Sequence, residues 1–279
     1  MRTMMAHSLE SPRRSQAAAK LAAVDAVALV DGWPINLATM DDAVAAIAES
    51  AERGEGSATV TLNLDHLVKL RTSPAFRKAY RCARFVTADG APVVRLARAQ
   101  APDIERTTGA DLVLPLAEAA AERGLAVYLY GTSPEVLGRA GARLAANTGG
   151  RLSIAGSESP PMGFDPDGAD ADAAIDRIVR SGARICFVAL GAPKQEILAA
   201  RAVERGAPVA FVCIGAALDF IAGAQVRAPQ FMQRLGLEWA WRLSTNPRRL
   251  ATRYAQCAML LADLTLLAPF RRKLRDIGT

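Results

Sequence analysis

The chain has 279 residues, 51% hydrophobic and 22% charged, with net charge +6. These totals suit one large α/β domain with an extension and set aside a disordered chain. From Arg227 to the end there are ten Arg or Lys against three Asp or Glu, so this segment carries +7 and the remainder −1.

The four cysteines, at 82, 186, 213 and 257, are widely spaced and show no metal-ligand pattern. They read as reduced, buried thiols, which fits the cytoplasm. No run reaches the roughly 18 uninterrupted apolar residues of a membrane span. Lys20 and Asp25 interrupt the apolar core that a secretion signal would need, so residues 1–26 are expected to be a flexible tail.

Val27 to Ile35 predicts a hairpin around Asp31-Gly32. Thr39 should cap a helix with Asp41 and Asp42 in its first turn. Strands are expected at 58–62, 85–88, 127–130, 152–156, 184–190 and 208–214, with helices between them. This strand–loop–helix rhythm implies a mostly parallel sheet with helices on both faces, occupying residues 27–229.

In such a sheet ligands bind beyond the carboxyl ends of the strands. There the sequence places Thr61, Asn63, Asp65 and His66, then Asp89-Gly90, Gly131-Thr132-Ser133, Gly191 to Glu196, and Gly215 to Asp219. Asp89 is the leading candidate for a general base. Its competing role is to cap the helix that begins near Pro92. His66 lies at a helix start with no nucleophile nearby, which points to a structural or substrate-contacting role. Gly131-Thr132-Ser133 precedes a helix and offers backbone N–H groups to a phosphate. In the loop 191–196, Lys194, Gln195 and Glu196 form one wall of a site. The pair Asp165 and Asp167 sits among turn formers and reads as loop and cap, so no metal ion is expected. The glycine fingerprints of dinucleotide and P-loop sites are absent from the sequence.

The basic segment 230–279 reads as amphipathic helices with Trp239, Trp241 and Arg242, then Arg248, Arg249 and Arg253, and a final Arg271-Arg272-Lys273-Leu274-Arg275. Three readings compete: a solvated helical pair, a nucleic-acid patch, and an appendage that meets an anionic membrane and a phosphorylated ligand. The third is preferred, because Arg242, Arg249 and Arg253 are spaced to meet one diphosphate. No nucleic-acid motif accompanies the patch. A homo-oligomer in solution is one way to cover the apolar tail.

Taken together, the stretches TLNLDHL (61–67), TADGAPVV (87–94), ERTTGADL (105–112), GAPKQE (191–196), LDFIAG (218–223), VRAP (226–229), GLEWAWRL (236–243) and PRRLATRY (247–254) resemble the WecG/TagA/CpsF glycosyltransferases of bacteria. The resemblance implies a Rossmann-like fold of the GT-E type. It implies inverting transfer of a sugar from a UDP-sugar to an undecaprenyl-diphosphate-linked saccharide, without a metal or other cofactor, at the inner face of the plasma membrane. Asp89 matches the proposed base, with Thr61 and Asn63 beside it. Gln195 and Glu196, Arg106, Asp111 and His66 fall in matched stretches and are expected at the substrate, as are Arg242, Arg249 and Arg253; Gly131 is expected there from its turn before a helix, not from the resemblance. Ile197 stands where the family often has Trp, and Ala216 where it often has a second Gly; both bear on pocket shape. The rival without the resemblance is a Rossmann-type oxidoreductase or binding protein for a nicotinamide cofactor.

Overall fold

A computed structural model describes residues 26–267, apart from the side chains of Arg249 and Leu267. The expected N-terminal tail, save its last residue, and the basic run 271–275 lie outside the described residues.

The chain opens with an antiparallel hairpin, β1 (Ala28–Val30) and β2 (Trp33–Ile35). Its turn is made by Asp31 and Gly32, both at positive φ, as the Asp-Gly pair predicts. Helix α1 (Met40–Glu52) starts at a capping box. Thr39 accepts from the Asp42 N–H, and the Asp42 side chain accepts from the Thr39 N–H. There follow β3 (Ser57–Leu62), α2 (Leu64–Thr72), α3 (Pro74–Cys82), β4 (Phe85–Ala88), α4 (Ala91–Arg98), α5 (Gly109–Glu122), β5 (Val127–Gly131) and α6 (Pro134–Asn147). The second half comprises β6 (Ile154–Glu158), α7 (Ala169–Arg180), β7 (Ile185–Ala189), α8 (Lys194–Glu204), β8 (Ala210–Cys213) and α9 (Ala217–Ile221). Then come α10 (Gln230–Arg234), α11 (Glu238–Thr245), α12 (Pro247–Ala262) and a π-helical turn at Asp263–Leu267.

Strands β3 to β8 form one parallel sheet in the order β4-β3-β8-β7-β5-β6. Alternate residues feed opposite cores, as a pleated strand requires. In β8, Phe211 and Cys213 join the layer that holds α2, α3, α4, α7 and α8, whereas Ala210 and Val212 join the layer of α1, α5, α6 and α9. Covering both faces makes the sheet Rossmann-like, as the sequence predicts. The C-terminal α12 lies on α2 and buries Cys257 and Leu260.

One strand is displaced from expectation. The run 152–156 predicts a strand that forms instead at 154–158. β6 is an edge strand, pairing only with β5, so its polar end is tolerated in the ladder. Arg177 holds Glu158 through two bonds of 2.8 and 2.7 Å, while Gly156 lies under the Tyr128 ring, where a Cβ would approach to 2.6 Å.

Candidate active site

Parallel pairing of β3 with β4 sets Thr61 opposite Thr87 and Leu62 opposite Ala88. The next residues, Asn63 and Asp89, therefore leave the sheet side by side. Asn63 is the N-cap of α2, where its Oδ1 accepts from the His66 N–H at 2.9 Å. Its Nδ2 donates to Asp89 Oδ2 at 3.1 Å, and the Thr61 hydroxyl donates to the same oxygen at 3.4 Å. Among the described residues Asp89 Oδ1 has no hydrogen-bond partner. The helix-cap alternative for Asp89 does not hold. Gly90 takes the N-cap position of α4 at φ 81°, and no side chain caps it. Burial raises the Asp89 pKa above the ordinary carboxylate range; the Asn63 bond and the charge of Arg242 oppose this.

Asp89 opens onto a cavity of about 640 Å³ that is also lined by Thr61, Asn63, His66, Arg106 and Gln195. Gln195 closes the far wall with its whole amide. Its Oε1 accepts from the Gly215 N–H at 3.0 Å, and its Nε2 donates to Glu196 Oε1 at 2.7 Å. It thus ties the loop after β7 to the loop after β8. Lys194 is exposed and donates to the Phe164 carbonyl at 2.9 Å, holding the Asp165–Asp167 loop instead of facing the cavity. In that loop Asp165 accepts from the Asp167 N–H, and Asp167 pairs with Arg201.

Glu196 lies behind Gln195, buried and outside the cavity lining. Burial pushes its pKa up to about 7, and among the described residues its Oε2 has no partner. His66 Nε2 stands 3.8 Å from Glu196 Oε1, and His66 Nδ1 shares a 2.6 Å hydrogen bond with the Tyr80 hydroxyl. Burial lowers His66 to about 3, so the imidazole is neutral. Both its nitrogens face protein groups, which makes it a wall of the cavity with a structural duty.

The expected phosphate turn is engaged by the protein itself. Gly131 does not line the cavity. It sits at φ 125°, where a Cβ would come within 2.4 Å of the Ala189 carbonyl oxygen, so close contact between β5 and β7 demands glycine there. Ser133 caps α6, and the Thr132 hydroxyl donates to Asp219 at 3.2 Å.

The C-terminal helices form the remaining wall. Arg242 and Arg253 both reach the cavity. Arg242 lies over the Phe220 ring at 5.9 Å, and Arg253 Nε is 2.9 Å from Asp65, which also pairs with Lys69. The Arg249 side chain lies outside what is described. Arg106 bonds Glu238 at 3.0 Å and lies 3.4 Å from Asp111; Asp111 does not line the cavity. Arg227, which was not among the expected site residues, joins the same group at the cavity edge. Its place in the VRAP stretch was the available signal. Leu64, Leu250, Tyr254, Cys257 and Leu261 give the cavity an apolar arm. Phe231, Leu235, Trp239, Met259 and Leu266 on the same segment are exposed. Among the described residues no helix is long and apolar enough to cross a membrane.

Compared with known protein families, residues 28–275 match the Glycosyl transferase WecG/TagA/CpsF family. The chain belongs to that family. This glycosyltransferase carries the family match through both the parallel sheet and the C-terminal helices, so both walls of the cavity fall inside it. The family in general joins a nucleotide-sugar donor to a lipid-linked acceptor.

Proposed function

We propose that this glycosyltransferase moves a sugar from a UDP-sugar to a polyprenyl-diphosphate-linked saccharide, with inversion and without a required metal ion. The observation that carries this reading is the Asp89 carboxylate. It is oriented through Oδ2 by Asn63 and Thr61, with Oδ1 free, in a cavity whose other wall bears Arg106, Arg242 and Arg253.

In the reaction Asp89 takes the proton of the acceptor hydroxyl. The oxygen forms its bond to the anomeric carbon, and the bond from that carbon to the UDP oxygen breaks on the opposite face, its electron pair leaving with UDP. The raised pKa makes Asp89 a stronger base than an ordinary carboxylate. Guanidinium groups meet the charge that develops on the leaving diphosphate. The apolar arm suits the first part of a prenyl chain, and the exposed aromatic and aliphatic side chains beside the arginines suit an anionic membrane surface. We place the enzyme on the inner face of the plasma membrane, with segment 230–279 as its docking appendage. A tail whose helices wall the cavity would limit hydrolysis of the donor by water.

A thermal-shift panel of UDP, several UDP-sugars and NAD tests the donor class. Stabilisation by UDP and by a UDP-sugar is expected; stabilisation by NAD alone would favour the oxidoreductase rival.

A further inference from the structure

Four charged side chains close a ring at the junction of core and appendage. Arg227 Nη1 is 2.6 Å from Asp111 Oδ1, and Arg227 Nε is 3.1 Å from Glu238 Oε1. Arg106 Nη1 is 3.0 Å from Glu238 Oε2, and Arg106 Nη2 is 3.4 Å from Asp111 Oδ2. Arg242 Nη2 reaches to 4.0 Å of Glu238 Oε1. Glu238 is thus a carboxylate surrounded by three guanidiniums; Arg106, Arg227, Glu238 and Arg242 line the cavity that Asp89 faces, and Asp111 stands behind it.

The two carboxylates differ in what they do. Asp111 is fixed within the core: its Oδ2 also accepts from the Thr108 hydroxyl at 2.9 Å, and it stands in the first turn of α5. Glu238 comes from the appendage, at the first residue of α11, and among the described residues has no such tether to the core beyond the two arginines. Among the described residues, the buried Arg227 Nη2 also has no hydrogen-bond partner. A guanidinium with an unused donor, beside a carboxylate that arrives on a separate segment, has capacity for a larger anion with more acceptor oxygens. A diphosphate meets that description, since it offers several oxygens to planar guanidinium forks.

We propose that Arg106 and Arg227 form a diphosphate subsite whose place Glu238 holds until the ligand arrives. This rests on the glycosyltransfer reading above and adds to it a named subsite, a residue for it, Arg227, and an internal competitor. Arrival of the diphosphate displaces Glu238, frees the start of α11 from the core, and leaves Asp111 to keep both guanidiniums aimed at the ligand. Donor UDP and the diphosphate of the lipid acceptor share this chemistry.

Calorimetric titration of the full-length protein with inorganic pyrophosphate, UDP and farnesyl diphosphate tests the subsite. Glu238→Gln removes the competing charge and should bind pyrophosphate about tenfold more tightly than the parent, the effect of roughly 1.4 kcal/mol. Arg227→Gln should weaken binding of pyrophosphate by at least as much. The organic diphosphate whose affinity falls with it is the one that occupies the subsite. Hydrogen exchange across residues 238–245 should rise when pyrophosphate is added to the parent protein, a response that a purely structural ion pair would not give. The subsite is refuted if Glu238→Gln binds pyrophosphate no better than the parent, if Arg227→Gln binds all three ligands normally, or if exchange at 238–245 is unmoved by saturating pyrophosphate. Should pyrophosphate, UDP and farnesyl diphosphate all bind a folded Arg227→Gln protein normally and transfer continue, the subsite fails while the glycosyltransfer reading stands. Should pyrophosphate behave as expected while no UDP-sugar is ever turned over, that reading fails instead.

Discussion

Asn63 serves two residues at once: its Oδ1 caps α2 through the His66 N–H, and its Nδ2 holds Asp89 Oδ2 at 3.1 Å. The start of the helix and the orientation of the Asp89 carboxylate are therefore set by one amide. A substitution that keeps the cap and removes the donor separates them. Asn63→Ser retains a good N-cap, so thermal stability should stay within about 0.5 kcal/mol, whereas Asn63→Ala should cost about 1 kcal/mol. Both should slow transfer several-fold, measured as initial rate with saturating donor.

The same bond lowers the Asp89 pKa against the effect of burial. A base works only when ionised, so activity must fall as pH drops through a value above the ordinary carboxylate range. In Asn63→Ser the lowering bond is gone, and this acid limb should move further up. An acid limb unchanged between the parent and Asn63→Ser would show that another group sets it.

His66 and Glu196 give a sharper pH prediction. Burial holds His66 at about 3, below its ordinary 6.5, and holds Glu196 at about 7, above its ordinary 4.5. Alone, the histidine would lose stability as pH falls from 6.5 towards 3, and the glutamate would lose it as pH rises from 4.5 to 7. Between 4.5 and 6.5 the two slopes oppose each other, so their summed contribution is flat there. Glu196→Gln removes one side. Its stability should then decline with acid over that window, by up to about 1.4 kcal/mol per pH unit relative to the parent. Urea titrations at several pH values measure this directly.

Gly131 should prove a sheet residue. An alanine Cβ would meet the Ala189 carbonyl at 2.4 Å and would force an L side chain to φ 125°. Gly131→Ala should cost on the order of 3 kcal/mol in urea unfolding. The fraction that folds should bind UDP as the parent does; a selective loss of UDP affinity at unchanged stability would restore a ligand role to this turn.

Truncation before residue 230 removes Glu238, Arg242 and Arg253 and uncovers the surface of α2 under α12. The remaining core keeps the whole parallel sheet. It should fold with a lowered melting temperature and show no transfer; a fully active truncation would refute a role for the C-terminal helices in the site.

Much of this was legible in the sequence because periodicity reports burial. The near-continuous apolar runs of β5, β7 and β8, and the β-branched runs of β3 and β4, are strands buried on both faces, and their polar successors mark one sheet edge. β6 was expected two residues too early because an edge strand needs no apolar end: Ser157 and Glu158 stay in the ladder. Asp89 was evenly divided between cap and base, since Asp is suited to both; the cap is removed only when Gly90 is seen at that position. Gly131 was read as a phosphate contact because a glycine before a helix looks alike whether a ligand or a neighbouring strand approaches it. The charge ring was hidden by distance along the chain. Arg227 pairs with Asp111, 116 residues away, and no local pattern records such a pair.

The most direct test supplies a polyprenyl-diphosphate-linked saccharide in anionic vesicles with a panel of radiolabelled UDP-sugars. The parent enzyme and Asp89→Asn are compared. The account predicts lipid-phase label from at least one UDP-sugar with the parent, insensitive to EDTA. With Asp89→Asn, that label should fall by about 10²–10⁴-fold while UDP binding is unchanged. Label at the parent rate with Asp89→Asn, or no lipid-phase label from any UDP-sugar, would contradict it.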